Sequence, residues 1–344
     1  MLWTPGAARA LEEFDCDTAV PASTMQLFDG HDHLRVASLA EAQADLATLA
    51  AQGVSLGMLA LGTLDPAELA IALALQSSGT DVVFAYVNPL HVAGPGGEKT
   101  FDATTLAFVQ AQLDAGARGI GETILRHSGP AALAANIPAN QAVAMDLYAE
   151  AAARGVPVSI HFETRDKSAP DTDIASRVLE LRSALSTNPE TIFIWAHLGD
   201  TGPTLVRTLI EDYTNLYADL SSRNPYFVRG WPVEHQSLSG EPMGTGSLDP
   251  DWKQLFEDHP DRFLIGLDLA SEDRWSQLAE VVSYYRGVLG ELSQDAAEKI
   301  ACKNARSLLV ATAVPGPGGS WVVVLGVLML VTGAGALVHA LERS

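Results

Sequence analysis

Apolar and polar positions alternate along residues 26–312 in a pattern that predicts an α/β fold. Short apolar runs of strand length are separated by longer stretches in which apolar residues recur every three or four positions. The short runs predict eight strands, at 26–31, 53–61, 81–89, 117–125, 156–163, 191–199, 215–222 and 262–270. Helices are predicted between them, among others at 39–52, 65–78, 103–116, 138–154, 172–187 and 274–292.

The number and order of these units predict a (β/α)8 TIM barrel. Eight strands that alternate with helices over this length match that architecture in count and size. Asp65-Pro66 and Asp249-Pro250 each supply a helix N-cap followed by proline at the first helical position. A doubly wound open sheet is the alternative, but the first strand is not followed by a Gly-x-Gly-x-x-Gly turn.

The rest of the chain divides into three segments. Residues 1–25 are predicted to form an N-terminal extension, and residues 313–320 a linker rich in proline and glycine. Residues 321–341 contain no Asp, Glu, Lys or Arg and would be about 31 Å long as a helix, enough to cross a bilayer core. We therefore predict a C-terminal transmembrane helix that tethers the barrel to a membrane.

The linker, the apolar run and the short charged end also resemble C-terminal sorting signals of bacterial surface proteins. This resemblance implies a location in a bacterial cell envelope. The few charges near the predicted span leave the side of the membrane open.

The net charge and the number of cysteines limit the kinds of molecule and metal site that we expect. The net charge of −21 argues against general binding to nucleic-acid backbones, which requires clustered Lys and Arg. Cys16 and Cys302 are too few and too distant in sequence to suggest a disulfide framework or a structural zinc site, and we expect two free thiols. The oligomeric state is left open.

Polar side chains that a barrel core does not need stand at five predicted strand ends. In the segment LFDGHDHL, His31 and His33 lie on one face of the first strand because they are two residues apart. Four later strands end in a similar way, with Glu122 on the fourth, His161 on the fifth, His197 on the sixth and Asp268 on the eighth. Because barrel enzymes carry their chemistry at the C-terminal strand ends, we expect these side chains to converge.

Imidazole nitrogens and carboxylate oxygens without a thiolate are ligands of Zn²⁺ and related ions. The sequence therefore predicts a centre for one or two divalent metal ions. Zinc is the leading expectation, and manganese, iron and nickel are alternatives.

These residues resemble the amidohydrolase superfamily of metal-dependent (β/α)8 barrels. Its members carry His-x-His on strand 1, Lys or Glu on strand 4, His on strands 5 and 6, and Asp on strand 8. The segment KIACKNARSLL is similar to the helix that commonly follows this barrel. WAHLGD and LYADLSS look most like the branch that contains decarboxylases and lactonases, whereas GIGE is similar to TatD-type deoxyribonucleases.

The resemblance implies two metal positions and a hydrolytic activity. The ligands would be His31, His33 and Asp268 at the first position and His161 and His197 at the second, with Glu122 between them. Asp268 would act as general base, and His161 as an acid or electrophile if only one ion binds. Metal-activated water would then cleave an amide, ester, lactone or phosphoester bond. A decarboxylase and a non-catalytic surface binding module are the alternatives.

Several polar residues near the strand ends are weaker candidates. Arg126, Arg165 and Arg223 follow the fourth, fifth and seventh strands, where a guanidinium suits a carboxylate or phosphate on the substrate. Each is equally compatible with an ion pair in a loop. The same strand ends also carry His127, Glu163, Asp219 and Ser221. Residues 224–248 are rich in Pro, Gly and aromatic residues and are expected to cover the site.

Overall fold

The structure is a computed structural model that describes most of the first 311 residues. The described residues are 16, 19–33, 38–60, 66–78, 83–129, 134–166, 174–227, 237–239 and 247–311. All of them fall within one unit, Met1–Ala313. Residues 313–320 and the predicted transmembrane helix at 321–341 lie outside the described residues, as do 228–236 and 240–246 of the predicted covering loop.

Eight parallel strand positions follow one another in chain order. We number them β1 (Leu27–Asp29, continued at Asp32–His33), β2 (Val54–Leu56, continued at Met58–Ala60), β3 (Phe84–Val87), β4 (Gly119–His127), β5 (Val158–Phe162), β6 (Phe193–Trp195), β7 (Leu216–Asp219) and β8 (Phe263–Leu264). Each strand pairs in parallel with the next one. All eight predicted strands are therefore confirmed, and the order excludes a doubly wound sheet.

Backbone hydrogen bonds close the barrel between its last and first strands. The N–H of Gly30 donates to the carbonyl of Ile265 at 2.8 Å. The N–H groups of Leu267 and Asp268 both donate to the carbonyl of His31, at 3.1 and 2.9 Å. The segment after β8, which carries Asp268, is consequently held directly against the histidine pair.

The helices pack outside this barrel. They are α1 (Leu39–Ala51), α2 (Pro66–Ser78), α3 (Ala103–Asp114), α4 (Ala142–Arg154), α5 (Ile174–Thr187), α6 (Pro203–Asp212), α7 (Pro250–Asp258), α8 (Glu272–Trp275), α9 (Leu278–Gly290), α10 (Gln294–Glu298) and α11 (Asn304–Ala311). The side chain of Asp249 accepts bonds from the first N–H groups of α7, which confirms the predicted cap. The helix expected at 274–292 begins later, at Leu278, because residues 272–275 form the short α8.

Cys16 and Cys302 form a disulfide, so the expectation of two free thiols was wrong. Their Cα atoms are 5.7 Å apart although 286 positions separate them in sequence. Sequence distance is a poor guide here because closing a barrel brings residues that precede its first strand close to residues that follow its last strand. The crosslink joins the N-terminal extension to the π-helical turn Lys299–Lys303, which continues into α11.

Within the part of the chain that the structure describes, no helix is long and apolar enough to cross a membrane. The predicted span at 321–341 is not among those residues, so it stays a prediction.

Removing the disulfide is expected to lower the free energy of unfolding. Loss of a native disulfide typically costs about 2–5 kcal/mol, because the unfolded chain regains conformational freedom. We expect Cys16→Ser and Cys302→Ser to lower the Tm, measured by circular dichroism without reductant, by similar amounts. Reductant should lower the wild-type Tm to the same value and leave the double variant unchanged. Two titratable thiols in the denatured, unreduced wild type would contradict the crosslink.

Candidate metal centre

The six predicted ligands meet at the C-terminal end of the barrel. All are buried, with at most 6% of any of them exposed: His31, His33, Glu122, His161, His197 and Asp268. The Nε2 atoms of His31 and His33 are 3.2 Å apart, and the Nε2 of His33 lies 3.5 Å from Asp268 Oδ1. The side chains at the first and eighth strand ends therefore form one group of metal-binding donors.

Glu122 lies between the two pairs of histidines. Its Oε1 is 2.7 Å from His161 Nδ1 and 3.2 Å from His197 Nε2. Its Oε2 is 3.4 Å from His33 Nε2 and 3.9 Å from His31 Nε2. One carboxylate oxygen thus faces each pair, which is the bridging arrangement that the resemblance implies.

The backbone around Glu122 and His197 brings these side chains inward. At Gly121, φ is 143° and an added Cβ would lie 2.7 Å from the Cβ of Ser159, so glycine lets β4 approach β5 closely. After β6 the chain makes a tight turn in which His197 and Leu198 have φ of 58° and 54°. The N–H of His197 donates to Asp219 Oδ1 at 3.0 Å, which holds this turn against β7.

Three of the histidines have a hydrogen-bond acceptor behind the nitrogen that faces away from Glu122. His31 Nδ1 is 2.9 Å from Asp219 Oδ2, and His161 Nε2 is 3.4 Å from Glu163 Oε1. His197 Nδ1 is 2.7 Å from the Oγ of Ser221, whose hydroxyl donates to Asp219. With a metal ion bound, these acceptors would hold the ring proton on the outer nitrogen and leave the inner lone pair to the ion, which is the tautomer that metal ligation requires.

The spacing of the donors fits a small divalent ion. Bonds of about 2.0–2.2 Å to zinc in a tetrahedral site put neighbouring ligand atoms about 3.3–3.5 Å apart. The donor atoms of His33 lie 3.2 Å from His31 and 3.5 Å from Asp268, and those of His197 and Glu122 are 3.2 Å apart. The donor set and its geometry therefore fit the divalent metal that the sequence predicts.

A third cluster of potential donors adjoins this centre. It consists of His127, His161 and Glu163. However, His127 Nδ1 already accepts a bond of 2.7 Å from the N–H of Gly129. The ring of His127 stacks on that of His161, with centroids 4.2 Å apart and planes 5° from parallel. We therefore assign His127 a packing contact with a metal ligand rather than a ligand role.

The charges of the centre also call for a cation. Burial disfavours a charged imidazole, but Asp219 and Glu122 outweigh it and raise the pKa of His31 to about 10. In the same way Glu122 and Glu163 outweigh burial and raise the pKa of His161 to about 9. Burial alone would raise the pKa of Glu122, yet His161 and His31 hold it well below its usual range. The buried carboxylates thus attract positive charge, which a divalent ion supplies while the imidazoles stay neutral.

The three predicted substrate-binding arginines are in different environments. Arg126 is paired with Glu180 on α5, with Nη2 2.5 Å from Oε1. Arg165 follows β5 and is half-buried, and its carbonyl accepts a bond from Arg177. The structure brings neither of them into the group of ligands, and their predicted contact with substrate stays a prediction.

Arg223 is the most buried of the three arginines. Its side chain is fully buried and donates to the carbonyls of His197 and Thr201, at 3.2 and 3.1 Å. Its guanidinium also lies over the ring of Trp252, with 5.1 Å to the centroid. It supports the turn that carries His197, and its predicted contact with substrate stays a prediction. The sequence indicated only that an arginine follows β7, not the direction of its side chain.

Arg274 is a site residue that sequence reasoning missed. It forms an ion pair with Asp268 Oδ2, which also accepts a hydrogen bond from Ser222, and it donates to the Asp268 carbonyl at 2.7 Å. Its guanidinium lies over the Phe227 ring, 4.7 Å from the centroid. Together with the histidines it holds the pKa of Asp268 below the usual range, although burial acts in the opposite direction. From the sequence, position 274 could be identified only as the start of a predicted helix.

A cavity of about 720 Å³ adjoins the centre on the side of β4 and β5. Its lining includes His127, whose ring stacks on that of His161, and the polar residues Ser128, Lys99, Asn136 and Arg177. Its volume is in the range that holds small molecules.

Residues 85–310, more than half of the chain, match the sequence model of the family described as Amidohydrolase. This chain belongs to the amidohydrolase family. The match confirms the resemblance and establishes an enzyme of the amidohydrolase type. It includes Glu122, His161, His197 and Asp268, whereas the His-x-His pair on β1 precedes the matched residues. The place of that pair in the amidohydrolase centre therefore rests on geometry.

Solved structures share the fold of this amidohydrolase. An uncharacterized TIM-barrel protein, Bb4693 from Bordetella bronchiseptica, is 19% identical with a TM-score of 0.55, over 79% of this chain and 83% of the other. A putative amidohydrolase from Staphylococcus aureus is 13% identical with a TM-score of 0.50, over 83% and 100%. A 2,6-dihydroxybenzoate decarboxylase is 11% identical with a TM-score of 0.50, over 83% and 99%. These identities show a common fold only. No curated protein sequence matches the chain.

The raised histidine pKa values predict an unusual pH dependence of metal affinity. Zn²⁺ must displace the protons of His31 and His161, so the apparent affinity rises with pH until those groups are neutral. We expect it to keep rising between pH 7 and 8.5, where a site of ordinary imidazoles, with pKa of about 6.5, has levelled off. Competition with a chelator of known pH behaviour measures this.

The matched variant is Asp219→Asn, which removes one of the charges that raise the pKa of His31. It should flatten the rise in affinity at high pH. A wild-type affinity that is already constant above pH 7 would contradict the assigned electrostatics.

Proposed function

We propose that this amidohydrolase is a metal-dependent hydrolase that uses metal-activated water to cleave an amide, ester, lactone or phosphoester bond in a small molecule. The placement of Glu122 carries the proposal, because one oxygen faces His31 and His33 and the other faces His161 and His197. A carboxylate in this position suits two cations. When bound, such ions lower the pKa of a coordinated water towards 7 and polarise the oxygen of the scissile bond.

Asp268 is the best-placed proton acceptor. Its Oδ1 is directed at the ligand cluster, 3.5 Å from His33 Nε2, while Arg274 and Ser222 hold Oδ2. Arg274 keeps the carboxylate ionised at neutral pH, so it is ready to accept a proton from water. The same ion pair makes the carboxylate a weak base, which favours passing the proton on to the leaving group.

Arg274 also points to the class of substrate. It places a guanidinium beside Asp268 at the edge of the centre, with about a quarter of the side chain exposed. A guanidinium binds carboxylate or phosphate through several N–H donors at once. We therefore propose a substrate that carries an anionic group near the bond that is broken.

Decarboxylation is the second candidate. Arg274 would equally well orient the carboxylate that leaves as CO₂. The 2,6-dihydroxybenzoate decarboxylase has the same barrel fold. Metal-loaded protein can be tested on a panel of aromatic and unsaturated acids beside a panel of esters, amides, lactones and phosphoesters. Release of CO₂ without consumption of water would overturn the hydrolase proposal.

We further propose that the barrel lies in an oxidising compartment of a bacterial cell envelope, tethered by the predicted helix at 321–341. The Cys16–Cys302 disulfide supports this location, because such crosslinks persist mainly in oxidising environments. Alkylation of intact cells before lysis measures the redox state, and fractionation measures the tether. A reduced pair in living cells would contradict the compartment, and recovery of the full chain outside the membrane fraction would contradict the tether.

Glu122→Ala tests the two-ion hydrolase directly. Removal of the shared ligand should reduce the metal content from two ions per chain to one or none, measured by elemental analysis after dialysis. Hydrolytic activity should fall by at least about 10²-fold, since loss of metal-supporting groups costs that order of magnitude.

The matched control is Glu190→Ala, which removes the same charge from an exposed loop position and should change neither metal content nor activity. One ion per chain in both the wild type and Glu122→Ala would favour the one-ion arrangement instead.

A further inference from the structure

Two aspartates next to the histidine pair accept hydrogen bonds in matching patterns. Asp29 Oδ1 accepts from the N–H of His31 and from the N–H of Leu267, both at 3.0 Å. Asp32 Oδ1 accepts from the N–H of His33 and from the N–H of Leu269, both at 2.7 Å. Each aspartate therefore joins one residue of the His-x-His segment to one residue of the segment after β8.

The two bonded residues after β8 are the immediate neighbours of Asp268. Leu267 precedes it and Leu269 follows it, so the peptide units on both sides of this ligand are tied to the histidine segment. The N–H of Asp268 itself donates to the carbonyl of His31 at 2.9 Å. The three ligands His31, His33 and Asp268 are thus fixed relative to one another by bonds that involve none of their metal-binding atoms.

The backbone at Asp268 needs such support. Its φ of 56° is in the left-handed region, which is unfavourable for a residue with a side chain. Strained conformations of this kind persist only where their surroundings hold them. The close approach also depends on Gly266, because a Cβ there would lie 2.8 Å from the Cβ atoms of His31 and Ser221.

Both aspartates are buried, with 0% and 2% of Asp29 and Asp32 exposed. In each case a single oxygen accepts both bonds. An amide oxygen at the same place accepts the same bonds without a charge, whereas a longer side chain would move the oxygen away. Substitution by Asn therefore tests whether the charge of the aspartate matters, and substitution by Glu tests whether the position of its oxygen matters.

We propose that Asp29 and Asp32 are positioning residues that shape the half of the metal centre formed by His31, His33 and Asp268. They act through the backbone of both segments, and the other half, at His161 and His197, does not depend on them. This inference rests on the proposed metal-dependent function for its ligand, but it concerns the affinity for the ion and not the reaction.

The test compares Asp32→Asn, Asp32→Glu and Asp32→Ala, with the same three changes at Asp29. Metal-free protein is titrated with Co²⁺, and the visible absorption spectrum and the dissociation constant of each ion are recorded. Asp146→Ala is the matched control, since it removes an exposed aspartate on α4. Thermal unfolding of each metal-free variant establishes that it is folded and reports its stability separately.

We expect the Asn variants to keep the wild-type Co²⁺ spectrum and to bind within about threefold of wild type. The Glu and Ala variants should bind one ion about 10- to 100-fold more weakly, the usual effect of losing an outer group that orients a ligand. They should also show an altered spectrum for that ion, while any second ion is bound as in wild type. If the Ala variants do not fold, the contrast between Asn and Glu decides the question.

Equal Co²⁺ affinity in all folded variants would overturn the positioning role and leave the hydrolase proposal intact. Retention by Glu and loss by Asn would overturn it too, because charge rather than geometry would then matter. A wild type that binds Co²⁺ as described but hydrolyses nothing would overturn the proposed function and leave the positioning role supported. A wild type that binds no ion would overturn both.

Discussion

A carboxylate buried among four imidazoles is the constraint on which the rest of this structure depends. Glu122 is removed from water, and a buried negative charge is costly unless positive charge and hydrogen bonds compensate it. The surrounding histidines turn one ring nitrogen towards it. Asp219, Glu163 and Ser221 then fix the opposite nitrogens of three of them. Much of the polar network at the barrel mouth follows from placing this one side chain.

A (β/α)8 barrel is well suited to surrounding a buried carboxylate with polar side chains. Strand ends arrive at the mouth from all around, so five of them contribute one or two donors each while the strands below pack in the core. The close approaches needed between strands are made where side chains are absent, as at Gly121 and Gly266. Arg223 and Trp252 then pack beneath the turn that carries His197. The polar residues of the centre thus lie at the strand ends, and the residues that pack the barrel core lie further down the same strands.

The sequence predicted which polar side chains converge at the barrel mouth, because these residues follow a repeating rule. Strand ends recur once per β/α unit, and a polar residue at the end of an apolar run is visible without any structure. The features that were not predicted follow no such rule. The disulfide depends on barrel closure, and the partner of Asp268, Arg274, reaches it from a separate short helix. The contacts of Arg223 with the turn at His197 and with Trp252 were also not predicted, because sequence gives a position along the chain and not the direction of a long side chain.

The closure between β8 and β1 has a consequence for the order in which the centre is built. His31 and His33 are near the start of the chain, and Asp268 is near the end of the barrel, so their half of the centre forms only after nearly the whole domain has been synthesised. Glu122, His161 and His197 come from β4, β5 and the turn after β6, which are neighbours in sequence and in space. Domains generally emerge from the ribosome N-terminus first. The half with local ligands can therefore assemble earlier, whereas the half at His31, His33 and Asp268 requires the closed barrel.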